Sequence, residues 1–381
     1  MTLDLIVVGA GPAGAAAGVT AARAGARVLV VDRATFPRPK TCGDALSNRG
    51  AEVVDRLVGT SRAVESIPHA VVHGAVAVFP DGTRVRRGFG GHDGYIVPRD
   101  TFDALLRNQL EGAGAQVREG ANVERLLHNG TDVVGALVDG ERIFARAVIA
   151  ADGPGSVGWR ALGVPYRRGR GLAVAITAYY EDVDFGEDEG RTEHYFESDL
   201  RSGYGWAFPP VDGQSNVGVY QRADAFEDGP RKLGAWLDVF IERHPERFAK
   251  AKQIGRTRTW SLPLASRPGP PGGPGLLLAG DAAFSIDPLS GEGIWQALDS
   301  GEQAARTVLA ALDGQGLTMR WVRQHQANWT RRIGATSLVR LGIQDAMDRF
   351  IERGLYRSRI ARGLLSRAYG SEAFEVSKKL K

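Results

Sequence analysis

The chain has 381 residues, 43% hydrophobic and 24% charged, a balance that fits a soluble globular protein with two subdomains and excludes a disordered or fibrous one. A single cysteine, Cys42, excludes an intramolecular disulfide and fits a reducing, cytoplasmic compartment; no apolar stretch reaches the roughly 18 residues of a membrane span. The first strand begins too early to leave room for a signal peptide. The formal charge of +4 is uneven, since residues 318–381 hold 14 Lys/Arg against 5 Asp/Glu. That asymmetry reads as the solvated face of a helical tail, with a salt-sensitive, peripheral attraction to anionic membranes as the functional alternative. No nucleic-acid motif accompanies it, and no metal-ligand cluster stands out.

Leu5–Val8 is a short apolar run suited to a strand buried on both faces. Gly9, Gly11 and Gly14 follow at G-x-G-x-x-G spacing, with Pro12 and Ala13 between them. Ala13–Ala24 reads as a helix lying close on a sheet and Arg27–Val31 as a second buried strand, closed by Asp32 and Arg33. Gly9 permits a tight turn, Gly11 lets the backbone approach a pyrophosphate, and Gly14 lets helix and strand touch. The helix N-terminus attracts the anion, and Asp32 is placed to accept from a ribose hydroxyl. Together these parts predict a dinucleotide site.

Residues 34–46 form a loop with a sharp turn at Cys42-Gly43. Ser47–Leu57 reads as a helix capped by Ser47. Pro80-Asp81-Gly82 joins Ala70–Phe79 and Thr83–Phe89 into a hairpin. Tyr95–Arg99 is extended, and Asp100 is expected to cap a helix to about Glu111. Val117–Glu119, Val123–Leu127, Val133–Val138 and Arg142–Ala145 predict an antiparallel meander, followed by a separate buried strand, Ala147–Ala151, ending in Asp152-Gly153. Leu172–Tyr180, Thr192–Phe196, Tyr204–Phe208, Asn216–Tyr220 and Thr257–Leu262 predict an antiparallel sheet of about five strands, with a helix at Leu233–Ile241. Leu276–Ala279 is another buried strand, ending in Gly280-Asp281. A loop through Pro288 and Gly291–Gly293 leads into a helix at Ile294–Leu312, and helices at Thr318–Arg349 and Leu355–Tyr369 follow. The expected fold is α/β: a Rossmann-type domain (1–171 and 264–317, with the meander inserted), an α+β antiparallel-sheet substrate domain (172–263) and C-terminal helices (318–381).

Four features match, in order, the flavin oxidoreductases that share the fold of para-hydroxybenzoate hydroxylase. They are GAGPAG at 9–14, Arg99 leading a helix, DGPGS at 152–156 and GDAAFSIDPLSGEGIWQAL at 280–298. The resemblance covers nearly the whole chain and implies FAD as cofactor. It implies that Asp281 hydrogen-bonds a ribityl hydroxyl and that Arg99 lies near the pyrophosphate. Gly291, Gly293 and Ile294 would open a helix facing the flavin pyrimidine edge, and Asp152, Gly153, Gly280 and Pro288 belong to the same matched segments. KTCGDAL at 40–46 resembles the K-x-C-G-x-x-L segment of geranylgeranyl reductases. YGWAFPPVDGQSNVGVY at 204–220 resembles their Y-x-W-x-F-P-K…V-G-x-x segment, with Pro210 in place of that Lys. The resemblance implies that Cys42 and Gly43 pass beside the isoalloxazine, while Tyr204, Trp206, Phe208 and Pro209 line a lipid pocket. On a strand, Tyr204, Trp206 and Phe208 share one face, which makes either an apolar ligand wall or the domain's own core.

The expected activity is saturation of carbon–carbon double bonds in an isoprenoid or similar apolar natural-product chain, by hydride transfer from reduced flavin. An isolated alkene has no carbonyl to take up charge, so a nearby acid must act almost in concert. Cys42 is the candidate proton donor; its alternative role is to shape the flavin pocket. A single dinucleotide fingerprint implies that NAD(P)H binds transiently or that a small redox protein donates electrons. The fold also hosts monooxygenases of natural products, non-catalytic flavin and lipid carriers, and halogenases. The halogenases resemble residues 36–38 and 203–209 but open their motif with Trp where this chain has Tyr204.

Overall fold

The computed structural model describes residues 3–227, 233–266 and 271–358, and the elements below are those among them. β1 (Leu3–Val8), α1 (Pro12–Arg23) and β2 (Val28–Val31) form the expected strand–turn–helix–strand unit. β3 (Ala45–Leu46) leads to α2 (Asn48–Val58), where Ser47 occupies the cap position without making a side-chain capping bond. β4 (Ala70–Val72), β5 (Gly74–Val78), β6 (Arg84–Gly88) and β7 (Gly94–Ile96) follow. The expected hairpin is β5–β6; β4 leaves it to pair with β7. In α3 (Arg99–Gly112) the cap position belongs to Pro98, two residues past the end of β7, whose backbone is still extended (ψ 130°). Asp100 is therefore inside the first turn, where its charge complements the helix dipole.

β8 (Gln116–Arg118), β9 (Val123–Asn129), β10 (Asp132–Val138) and β11 (Glu141–Ala150) depart from the expected meander in two ways. β8 joins the parallel sheet beside β2. β11 is one strand where the sequence pattern suggests two: its start pairs antiparallel with β10 and its end pairs parallel with β1. Arg146 interrupts the apolar pattern without breaking the strand, because a side chain at that position points to solvent. α4 (Val157–Leu162) follows.

The second sheet holds β12 (Leu172–Glu181), β13 (Arg191–Tyr195), β14 (Gly203–Ala207), β15 (Ser215–Arg222) and β16 (Lys252–Pro263). Between the last two run α5 (Ala223–Glu227), α6 (Leu233–Arg243) and α7 (Pro245–Phe248). Its order is β16-β12-β15-β14-β13-β5-β6. It has seven strands instead of five because β5 pairs in parallel with β13 and brings β6 with it. Trp236, Leu237 and Phe240 of α6 fill one face with Val217 and Val219. Tyr204, Trp206 and Phe208 lie on the other.

β18 (Leu276–Leu278) adds a parallel strand to the first sheet and β17 (Gly272–Gly273) an antiparallel edge, in the order β17-β18-β11-β1-β2-β8. One face is covered by α1, α3 and α8 (Ile294–Leu312), the other by the meander. α9 (Met319–Trp329) passes through a π turn at Thr330–Gly334 into α10 (Ala335–Glu352). Of the basic C-terminal stretch, Arg332 is paired with Asp299 and Arg340 with Asp287, so part of its charge is committed within the fold. The expected helix beyond Leu355 is described only as a 3-10 turn, Leu355–Arg357, and residues 359–381 lie outside the described residues. Among the described residues no helix is long and apolar enough to cross a membrane.

Candidate active site

β1, β11 and β18 end side by side, so three glycine-bearing turns converge: Gly9–Gly14, Asp152-Gly153 and Gly280-Asp281. Gly9 has φ +94°, and a Cβ there would stand 2.6 Å from the Ala151 carbonyl oxygen. A Cβ on Gly14 would stand 1.8 Å from the Gly9 carbonyl oxygen, so only glycine lets α1 start this close to the strand. A Cβ on Gly11 would meet nothing nearer than an Arg38 nitrogen at 3.7 Å. The backbone there faces a cavity of about 1120 Å³.

That cavity brings together Gly9, Gly11, Pro12, Ala13, Asp32, Arg33, Cys42, Gly43, Arg99, Asp152, Gly153, Gly280, Asp281, Gly291, Gly293, Ile294, Tyr204, Trp206 and Phe208. Three expected residues are not in its lining. Gly14 lies beneath the turn, Pro209 is buried past the end of β14, and the Pro288 carbonyl accepts from the Tyr220 hydroxyl at 2.8 Å. Two of the acids that line it also brace its walls. Asp32 accepts from the backbone N–H of Ala10 at 2.7 Å and of Ala34 at 2.8 Å. Asp152 accepts from the Ser156 hydroxyl and from Val157 N at the start of α4. Asp281 is different: among the described residues its carboxylate has no hydrogen-bond donor. Burial raises it above the usual carboxylate range, while Lys40 and Arg99 pull it the other way. An acceptor left open on a cavity wall suits a ligand hydroxyl.

Arg99 turns inward. Its guanidinium grips Asp103 through two bonds of 2.8 and 2.9 Å, and Arg38 reaches the same carboxylate at 3.1 Å. Burial works against the charge on Arg99, but Asp103 and the adjacent Cys42 side chain outweigh it and hold the guanidinium protonated. Lys40 Nζ sits 3.5 Å from the Trp260 ring centroid. Burial, then repulsion from Arg99, brings its ammonium down to about 8, with Asp281, Cys42 and Asp103 opposing.

The two segments that resemble the reductases meet. A Cβ on Gly43 would stand 3.1 Å from the Phe208 ring and 3.6 Å from Trp206 Nε1. Their junction is an asparagine that the sequence reading passed over. Asn216 donates to the Cys42 carbonyl and to Asp44 Oδ2, each at 2.8 Å. Its own oxygen accepts from Trp206 Nε1 at 3.0 Å and from the Thr177 hydroxyl at 2.7 Å. Tyr204 stacks on Tyr220 with centroids 5.2 Å apart, and its hydroxyl donates to the Ser290 carbonyl, which ties the aromatic face to the 288–293 loop. His194 also lines the cavity, 5.3 Å from the Tyr204 ring and 5.6 Å from the Phe208 ring. Burial alone lowers its imidazole to about 4, so it is neutral at physiological pH. A polar residue among strand aromatics and aliphatics, as in TEHYF and SNVGVY, is the signal by which both residues were detectable.

A cradle of glycines that a Cβ would fill, open backbone at a helix N-terminus and an unpartnered acid at a strand end fit an extended dinucleotide cofactor. With an apolar wall adjoining them, they define an FAD-dependent oxidoreductase. The chain belongs to the FAD binding domain family, whose model matches residues 2–321. The resemblance to geranylgeranyl reductases is borne out by its relatives. The chain is 32% identical over 339 residues to menaquinone reductase of Mycobacterium tuberculosis, covering 84% of this chain and 78% of that protein. It is 31% identical over 346 residues to digeranylgeranylglycerophospholipid reductase 2 of Methanopyrus kandleri, covering 88% and 84%. The solved structure of a geranylgeranyl bacteriochlorophyll reductase-like protein from Thermoplasma acidophilum superposes with a TM-score of 0.83 at 28% identity, covering 92% of this chain and 90% of that one. A flavin-dependent brominase at 19% identity and TM-score 0.73 shares the fold.

Proposed function

We propose that the protein is an FAD-dependent reductase that saturates double bonds in an isoprenoid chain. The observation that carries this reading is the contact of the Cys42-Gly43 turn with Trp206 and Phe208 inside one cavity. When bound, FAD supplies the hydride chemistry. The chain supplies the rest. Gly9, Gly11 and the N-terminus of α1 cradle the pyrophosphate, and Asp281 offers its free acceptor to the ribityl chain. Tyr204, Trp206 and Phe208 exclude water and lay an apolar chain beside Cys42, whose thiol holds the proton for the second carbon. Neutral His194 gives the wall one hydrogen-bonding group for a polar part of the substrate without adding a charge. The relatives reduce menaquinone and a digeranylgeranyl phospholipid by name, and both molecules combine isoprene units with a polar end.

The test is anaerobic. Reduced enzyme is mixed with menaquinone or with a digeranylgeranyl lipid, and flavin absorbance is followed. Reoxidation without oxygen, with product gaining two hydrogens, is expected. Reoxidation only in air, with product gaining oxygen, would show a monooxygenase instead.

A further inference from the structure

The segment Pro39–Cys42 has a second chamber behind it. This cavity, about 310 Å³, reaches Asp44, Tyr179 and Asn216 on one side and Lys40, Cys42 and Arg99 on the other. The last three also line the main cavity. The chamber thus backs onto the reacting site through a wall one segment thick, with room for several waters.

Asp44 is the unusual group in it. The side chain is 1% exposed. Oδ2 takes two donors, the Tyr179 hydroxyl at 2.6 Å and the Asn216 amide at 2.8 Å. Oδ1 is buried and has no hydrogen-bond partner among the described residues. An ionised carboxylate shares its charge over both oxygens and needs donors at both. A carboxylic acid protonated on Oδ1 needs donors only at Oδ2. The amide orientation that places Asn216 Nδ2 against Asp44 is fixed by the two donors on its other atom, Trp206 and Thr177. Burial pushes the Asp44 carboxyl up to about 7. Tyr179, Asn216 and Arg99 act against the rise, and Asp100 adds to it. Among the described residues, Arg256 and Arg258 of β16 are the remaining charged groups on the chamber wall.

We propose that Asp44 is held as a neutral acid behind Cys42 and that the second chamber returns the proton consumed in the main cavity. The proposal rests on the reductase reading. As a new C–H bond forms at the alkene carbon that does not receive hydride, the Cys42 S–H bond breaks and its electron pair stays on sulfur. The Asp44 O–H bond then breaks, and its proton crosses the chamber through water to the thiolate. The carboxylate regains a proton from solvent, so each saturated double bond takes up one solvent proton by this route. Asp44 acts through Cys42 and is a positioning and relay residue.

The variant Asp44→Asn separates the possibilities. Asparagine keeps an acceptor for Tyr179 and Asn216 and tolerates the φ of +64° at this position, but has no acidic proton. Infrared spectra of the FAD-loaded protein, titrated from about pH 5 to about pH 9, should show a protonated carboxyl band that fades around neutrality and is absent from Asp44→Asn. A missing band, or one that survives the substitution, overturns the proposal. In anaerobic reoxidation by a digeranylgeranyl lipid, Asp44→Asn should keep its flavin and its half-saturating concentration. Its rate should fall about tenfold or more and lose the decline above neutral pH expected of the wild type. A wild-type pH profile retained in the variant also overturns the proposal. Wild-type enzyme inert toward every isoprenoid lipid would instead sink the reductase reading, and the infrared band would still decide the state of Asp44.

Discussion

The glycine cradle and the aromatic wall line the same cavity but are built differently. The cradle is backbone: at Gly9 and Gly14 the contacts that matter are with carbonyl oxygens, and a single added carbon has nowhere to go. The wall is side chains held by one another. Trp206 is oriented by Asn216, Asn216 by Thr177, and the Cys42 turn by Asn216 in return. A backbone site fails outright when altered, because peptide groups cannot move aside singly. A side-chain site fails in parts, because each member can be removed while the strands remain.

Three experiments break or sharpen that contrast. The largest effect belongs to Gly14→Val. Its branched side chain would overlap the Gly9 carbonyl, and we expect protein without flavin, destabilised by about 4 kcal/mol or more. Flavin absorbance per chain after purification checks this; a yellow variant at full occupancy would mean the cradle is softer than its contacts imply. Trp206→Ala comes next. Truncating a buried tryptophan should lower stability by about 3–5 kcal/mol in denaturant titration, while flavin content stays normal and the half-saturating concentration of a digeranylgeranyl lipid rises. Loss of flavin in this variant would join wall and cradle into a single unit.

The smallest effect is a change of slope. The Asp44 carboxyl is raised from its ordinary 3.8 to about 7, so the folded state binds its proton more tightly than the unfolded chain does. Its contribution to stability is complete below about pH 4 and is lost as pH rises through about 7. Asp44→Asn, which cannot ionise, should match wild type near pH 4 and exceed it at about pH 8. Equal pH slopes for the two proteins, measured by thermal unfolding, would place Asp44 outside the stability balance.

Legibility followed the same division. The cradle could be read from spacing, because G-x-G-x-x-G between a strand and a helix is a local pattern. The helix at Ile294–Leu312 was likewise read to the residue, since its apolar period and glycine lead are local. What escaped was set by distant partners. Pro98 displaced Asp100 as the cap because the extended backbone after β7 ends there and the helix starts at Arg99. β11 is continuous across Arg146 because two different neighbours pair with its two ends. Asp44 and Asn216 lie 172 positions apart, and nothing in either neighbourhood announces that they share a hydrogen bond. Cys42 and Trp206 were singled out by resemblance, but the asparagine that joins them was not.

The pairing of β5 with β13 bears on how the chain is made. Gly74 and Thr192, joined across this pair, are 118 positions apart. During synthesis the β5–β6 hairpin emerges long before the strand that will flank it, and one edge carrying Val76 and Val78 stays open in the meantime. Closing so long a loop is slow compared with forming the local β1–α1–β2 unit. Until β13 is made, the nascent chain carries the local β1–α1–β2 unit together with an unpaired sheet edge, the kind of surface that chaperones exist to cover.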